Sequence, residues 1–272
     1  MSGRAGTLLL VGCGRMGGAL LAGWLERGTA ASVHVVEPEA GGRAFAGRPG
    51  VAIHGSADAL PADLVPEVVV FAVKPQVMAE IVPAYRRFVG PRTVFLSIAA
   101  GKTIRFFAGL LGGEAALVRA MPNTPAAVGR GITVCCAGPG TTAAQRELCG
   151  SLLEAVGEVA WVEDEALIDP VTAVSGSGPA YVFHLVEALA ASGERAGLPA
   201  ELAMRLARAT VSGSGELLRQ SADPAAKLRE NVTSPNGTTH AALQVLMAKD
   251  GLTPLMEKAV AAATRRSREL AD

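Results

Sequence analysis

The sequence predicts an α/β protein: a doubly wound, mostly parallel sheet at the N-terminal end, followed by an all-helical C-terminal domain. Three observations predict it. Short apolar, β-branched runs alternate with helical stretches from Thr7 to Val162. The first run opens directly into a G-x-G-x-x-G turn. After Trp161 no clear strand follows, and long segments rich in Ala, Leu, Glu and Arg take over. The division is expected between residues 163 and 164.

The first run, Leu8-Leu9-Leu10-Val11, leads into Gly12-Cys13-Gly14-Arg15-Met16-Gly17 and a helix starting near Met16. Twenty residues after Gly17 the second run, 33–36, ends on Glu37. Strand, glycine turn, helix, strand and acid at this spacing form a Rossmann-type dinucleotide-binding unit. Gly12 permits the tight turn, Gly14 lets backbone approach a pyrophosphate, and Gly17 lets helix and strand pack closely. The anion is expected at the helix N-terminus, and Glu37 can accept hydrogen bonds from ribose hydroxyls. A lone glycine fingerprint in a chain with 32 glycines is weak, so the flanking strands and the acid carry the argument. Further strands are expected at 68–73, 94–98, 117–120, 132–137 and 159–162, most of them apolar throughout, as strands covered on both faces should be.

In the second half, helices are expected at 180–195, 200–220, 239–249 and 254–270. Gly197-Leu198-Pro199, Asp223-Pro224 and Gly251-Leu252-Thr253-Pro254 break them. Several are apolar over much of their circumference. Such helices bury a second face against another subunit, which predicts a homodimer or an assembly of dimers.

Hydrophobic residues make up 50% of the chain and aromatics 4%, so the core is aliphatic and alanine-rich. Formal net charge is zero, which gives no support for a nucleic-acid or acidic-membrane partner. Cys13, Cys135, Cys136 and Cys149 lack metal-ligand or C-x-x-C spacing and read as buried, reduced thiols; no metal is expected. The N-terminus lacks a signal-peptide pattern, and no run approaches the ~18 apolar residues of a membrane span. A soluble, cytoplasmic protein is expected.

Five further segments carry chemistry. Ala72-Val73-Lys74-Pro75 ends the third of these runs, where ligands approach an open α/β sheet; Lys74 faces the cofactor there or is an exposed loop lysine. Ala99-Ala100-Gly101 ends the next run with small residues, against which a flat nicotinamide could lie. Arg119-Ala120-Met121-Pro122-Asn123-Thr124-Pro125 follows with two prolines that rigidify a loop. In the helical half, Ser175-Gly176-Ser177-Gly178-Pro179-Ala180-Tyr181 and Ser234-Pro235-Asn236-Gly237-Thr238-Thr239 are hydroxyl- and glycine-rich turns opening helices. Free backbone N–H groups there suit a carboxylate, and the same residues also serve as plain helix caps.

Taken together, these segments closely resemble the pyrroline-5-carboxylate reductase family, from the glycine turn to Arg266-Ser267-Arg268-Glu269-Leu270. The SGSGPAY and S-P-x-G-T-T blocks are far more specific than the glycine fingerprint. The resemblance implies an N-terminal Rossmann domain, an intertwined helical domain that makes a homodimer or a ring of dimers, and reduction of 1-pyrroline-5-carboxylate to L-proline by NAD(P)H. It places cofactor contacts on residues 12–17, on Ala72, Val73, Lys74 and Pro75, on Ala99, Ala100 and Gly101, and on the turn at Asn231. It places substrate contacts on Glu165, Ser175, Ser177, Gly237, Thr238 and Thr239. Two positions depart from the family pattern. Arg15 stands where similar enzymes have Asn, adding a cation near the pyrophosphate or pointing to solvent. Asn236 replaces the first of two paired glycines, and Asn tolerates left-handed backbone well enough for the turn to survive.

The chemistry implied is hydride delivery to the C=N carbon of a protonated cyclic imine, the carbon that becomes C5 of L-proline. The protein's part is to position the ring, grip the carboxylate and offer a hydroxyl to the nitrogen, with Thr239 as the candidate. His184 and His240 are expected to be structural or solvated. A β-hydroxyacid dehydrogenase would need a lysine early in the helical domain, and none occurs from 103 to 226. A nucleotide-binding sensor would have no need of the small residues at 99–101 or the hydroxyls at 238–239. Glu37 would repel the 2′-phosphate of NADPH, which predicts a preference for NADH, although Arg43 and Arg48 follow closely.

Overall fold

The computed structural model describes residues 5–271. Eight strands form one sheet: β1 (Ala5–Val11), β2 (Ala30–Val36), β3 (Val51–His54), β4 (Val68–Phe71), β5 (Val94–Ser97), β6 (Ala116–Met121), β7 (Gly131–Ala137) and β8 (Gly157–Val162). Their order is β3-β2-β1-β4-β5-β6-β7-β8. Every neighbouring pair is parallel except β6 and β7. The helices are α1 (Arg15–Arg27), α2 (Met78–Ile81), α3 (Ile104–Leu111), α4 (Ala143–Leu153), α5 (Ile168–Val171), α6 (Gly178–Arg195), α7 (Ala200–Gln220), α8 (Ala225–Asn231), α9 (Thr238–Leu246) and α10 (Leu252–Glu269).

The expected doubly wound sheet is present, and its apolar strands are covered on both faces. Because side chains alternate along a strand, Leu8, Leu10, Val33, Val35, Val68 and Val70 pack with Trp24 of α1 and Leu152 of α4 on one face. Leu9, Val11, Val69 and Phe71 pack with Met78 and Phe107 on the other. Trp24 adds a polar tie, its Nε1–H donating to the Leu152 carbonyl at 2.8 Å.

Two features go beyond the sequence reading, an added strand and a reversal of direction. β3 is a short, half-buried edge strand that sequence reading passed over. β7 reverses direction because the link from β6 holds only residues 122–130. That is too short for the dozen or more residues of a parallel crossover. Instead a 3₁₀ turn (Thr124–Val128) and left-handed Gly129 (φ 66°) bring the chain straight back.

The chain divides into two compact units. One runs through Gly176 and takes in the tail from Ala263; the other is Ser177–Ala262. In the first, the tail is tied down where the Ser267 hydroxyl donates to Asp169 Oδ1 at 2.7 Å. In the second, α6 and α7 pack through small residues, with Ala190, Ala203 and Ala207 buried and Gly193 against Ala203. Gly197, at φ 101°, turns the chain between them. α8 occupies a stretch after the Asp223-Pro224 break where no helix was expected. Among the described residues, no helix is long and apolar enough to cross a membrane.

Candidate active site

The glycine turn is built by steric exclusion. Gly12 has φ 92°, and a Cβ there would lie 2.6 Å from Val73 Cγ1 and 2.9 Å from the Ala72 carbonyl carbon. A Cβ on Gly17 would collide with the Gly12 carbonyl oxygen. Around Gly14 nothing lies within 4 Å of a Cβ position. Two glycines thus close the β1–α1 joint, and the third leaves an open cradle of the kind a pyrophosphate needs. Gly14 caps α1 without a side-chain hydrogen bond, and the first turn holds no acidic residue. Its N–H groups and the positive end of the helix remain available to an anion. Arg15 is exposed at the helix start, and Met16 packs partly against the core.

Glu37 faces this turn from the end of β2. Its Oε2 accepts the Cys13 N–H at 2.7 Å and its Oε1 the Glu39 N–H at 2.9 Å. Gly41 packs close beside them, where a Cβ would lie 2.5 Å from the Cys13 carbonyl oxygen and 3.3 Å from Glu37 Oε2. Each carboxylate oxygen keeps a lone pair for a further donor. Burial, reinforced by Glu37, raises the Cys13 thiol to about 11, so it is an inert part of the turn.

The next two strand tips come side by side. The Ala72 N–H donates to Val11 O at 2.8 Å and the Ile98 N–H to Phe71 O at 3.2 Å. Val73 packs on the glycine turn, Lys74 is exposed, and Pro75 opens a 3₁₀ turn. Ala99 is buried, and Gly101 (φ 72°) has its backbone against that of Leu270. The structure therefore brings together residues 12–17, Glu37, 72–75 and 99–101 at the C-terminal ends of parallel strands, where α/β sheets take ligands. The open space at Gly14 and the uncapped first turn of α1 fit a dinucleotide.

The residues expected at the substrate divide between the units. In the first, Glu165 Oε1 accepts the Ile104 N–H at 2.8 Å and lies 2.9 Å from Arg119 Nη1. Ser175 lies in a π-helical turn (Thr172–Gly176) and donates to Val171 O at 3.2 Å. Such turns are frequent at functional sites. A Cβ on Gly176 would press on the Met121 side chain. In the second unit, Ser177 precedes α6 without capping it through its side chain, and Asn231 is the exposed last residue of α8. There Asn236 has φ 59°, the single positive φ outside glycine among the described residues. With Pro235 before it and the Gly237 N–H donating to Ser234 O at 3.0 Å, the turn has the type II pattern. Gly237 then caps α9 with no side chain, leaving Thr238 and Thr239 in its first turn.

Arg119 was not expected as a buried partner of Glu165. The available signal was a lone charge in the apolar run Leu117-Val118-Arg119-Ala120-Met121. His184 pairs with Glu187 and His240 with Gln244, each on its own helix. All four cysteines are free and buried. Among the described residues, no cluster of three His, Cys, Asp or Glu could hold a metal ion.

Comparison with known proteins shows similarity along nearly the whole chain. Residues 165–270 match the family model for pyrroline-5-carboxylate reductase dimerisation, and residues 7–101 match that for coenzyme F420-dependent NADP oxidoreductases. A Pseudomonas aeruginosa protein named pyrroline-5-carboxylate reductase is 41% identical over 267 residues, covering 97% of each chain. The solved structure of a pyrroline-5-carboxylate reductase from Coxiella burnetii superimposes with a TM-score of 0.90 at 33% identity, over 97% of this chain and 98% of that one. The Plasmodium falciparum pyrroline carboxylate reductase, solved with NADP bound, gives a TM-score of 0.81 at 27% identity over the whole of both chains. With a Rossmann-type sheet, a helical dimerisation segment and full-length relatives of one name, this chain belongs to the pyrroline-5-carboxylate reductase family of NAD(P)-dependent oxidoreductases.

Proposed function

We propose that this chain reduces 1-pyrroline-5-carboxylate to L-proline with NAD(P)H, closing proline biosynthesis in the cytoplasm. The observation that carries the reading is the relationship to the Pseudomonas reductase along nearly the whole of both chains. A reduced nicotinamide supplies the hydride; the residues of this chain bind and orient. Residues 12–17 hold the pyrophosphate, Glu37 the ribose, and 72–75 with 99–101 the nicotinamide half, while Asn231 contributes from the helical domain. Glu165, Ser175, Ser177, Gly237 and Thr238 shape the substrate site, the α9 N-terminus takes the carboxylate, and Thr239 meets the ring nitrogen. On this reading residues 1–163 serve the cofactor and 164–272 serve substrate and dimer or dimer-ring assembly.

NADH is the preferred cofactor. A 2′-phosphate would meet the Glu37 carboxylate, whereas a ribose diol donates to it. The test is cofactor oxidation at 340 nm with 1-pyrroline-5-carboxylate and each cofactor in turn. NADH should give the higher kcat/KM. Glu37→Ser should shift the ratio toward NADPH by about tenfold, the scale of one hydrogen bond worth about 1.4 kcal/mol net. The same change should weaken NADH, because Glu37 also braces the Cys13 N–H. No oxidation with either cofactor would refute the function, and a native preference for NADPH would refute the role of Glu37.

A further inference from the structure

Arg119 lies inside the sheet, in the middle of β6, in register with Ser97 on β5 and Cys136 on β7. Its side chain is 4% exposed. Nη1 meets Glu165 Oε1 at 2.9 Å, and Nη2 is buried with no hydrogen-bond partner among the described residues. Cys136 does not share the charge. Burial, then Glu165 and Glu163, push its thiol upward against the opposing pull of Arg119, so it stays protonated. A buried ion pair contributes little to stability, and an apolar side chain of similar volume does as well or better. Folding alone gives no reason for a cation here.

The reason lies in the oxygen it holds. Glu165 Oε1 also accepts the N–H of Ile104, the first residue of α3. Ile104 stands three residues beyond Gly101, so this bond fixes the exit of the 99–101 segment. The Ile98 N–H, bound to Phe71 O, fixes its entry. Glu165 itself opens the 3₁₀ turn (Glu165–Leu167) that leads through α5 into the π-helical turn with Ser175. A single carboxylate oxygen therefore joins β6, the exit of 99–101 and the approach to Ser175, all within the first unit.

We infer that Arg119 is a positioning residue for hydride transfer: it holds Glu165 against the Ile104 N–H and so sets the backbone of 99–101. The inference rests on the function proposed above, in which that backbone supports the nicotinamide. Arg119 acts through Glu165 and touches no reacting atom.

The test uses the full-length protein with Arg119→Met, Arg119→Lys, Glu165→Gln and the Met/Gln double variant. Without cofactor, amide exchange at Ile104 should speed up at least about tenfold in Arg119→Met, as a freed first-turn N–H does. With substrate and NADH, kcat should fall about tenfold while KM for NADH stays within about twofold, the signature of misplacement. The primary isotope effect from deuterated NADH should rise, and Arg119→Lys should recover part of the loss. Glu165→Gln should lose kcat likewise, and the double variant should be no worse than the poorer single one, as coupled residues behave. Parental kcat or parental Ile104 exchange in a folded Arg119→Met overturns the inference. If Arg119→Met does not fold, the same two readouts on Glu165→Gln, at a partly exposed side chain, decide it. An inactive parent protein overturns the function and the inference together; an active parent with unaffected variants overturns the inference alone.

Discussion

Thr239 stands in the first turn of α9, and the cap of that helix is Gly237, which brings no side chain. A capping hydroxyl would be worth about 1 kcal/mol of stability, but the helix cap makes no side-chain hydrogen bond, and none engages the Thr239 hydroxyl among the described residues. Its proposed partner is the substrate nitrogen as it becomes an amine. Thr239→Ala should therefore lower kcat about 10–100-fold, below or at the edge of the roughly 10²–10³ known for a key polar donor. NADH affinity and melting temperature should hardly move. A lower melting temperature with kcat intact would return Thr239 to a structural role. At this scale the glycines were the most legible residues. Gly12 and Gly17 are fixed by what a Cβ would strike and Gly14 by what it would not, and Asn236 takes the left-handed turn expected of it. Glu37 was legible as an acid closing the second strand beside the glycine turn, while its bonds to Cys13 and Glu39 depend on how the backbone folds around it.

Edges of the sheet behave differently from its centre. On β2 and β3, His34 Nδ1 and His54 Nε2 are 3.0 Å apart, so one ring donates and the other accepts. Burial, then His54, lowers the His34 pKa. A histidine whose folded pKa is depressed takes up fewer protons than the unfolded chain between that value and about 6.5, so stability is complete above this window and is lost as pH falls through it. Acidification from pH 7.5 to 5.5 should lower the melting temperature more in the native protein than in His34→Gln. Equal pH dependence of the two would remove the pair from the edge's energetics. The strand pair itself was only half legible. Val33-His34-Val35-Val36 reads as a strand from its own composition, but Val51-Ala52-Ile53-His54 is short, half-buried and held by pairing with β2. The reversal at β7 was encoded in the shortness of residues 122–130. Burial of Arg119 was not, because a charge within an apolar run does not name its distant partner.

The helical unit leaves much apolar surface uncovered within one chain: Phe183 is 64% exposed, Leu217 64%, Val245 71% and Leu255 62%. Isolated exposed apolar residues are ordinary, but several along three or more helices of one unit mark an association surface. This is the segment matched by the family's dimerisation model. Light scattering at micromolar concentration should give the mass of a dimer or a multiple of it, and Phe183→Glu should reduce assembly. A monomer mass for the native protein would contradict the assignment. For the molecule as a whole, alternating apolar runs made the sheet and its two covered faces readable. The helical half was readable mainly from its breaks, which located α6, α7, α9 and α10 and concealed α8. The central claim is hydride transfer onto a cyclic imine, and the most direct measurement follows the transferred atom. The protein would be supplied with NADH deuterated at both C4 positions and 1-pyrroline-5-carboxylate in ordinary water. The account predicts L-proline carrying one deuterium at C5; cofactor oxidation that leaves the proline unlabelled would contradict it.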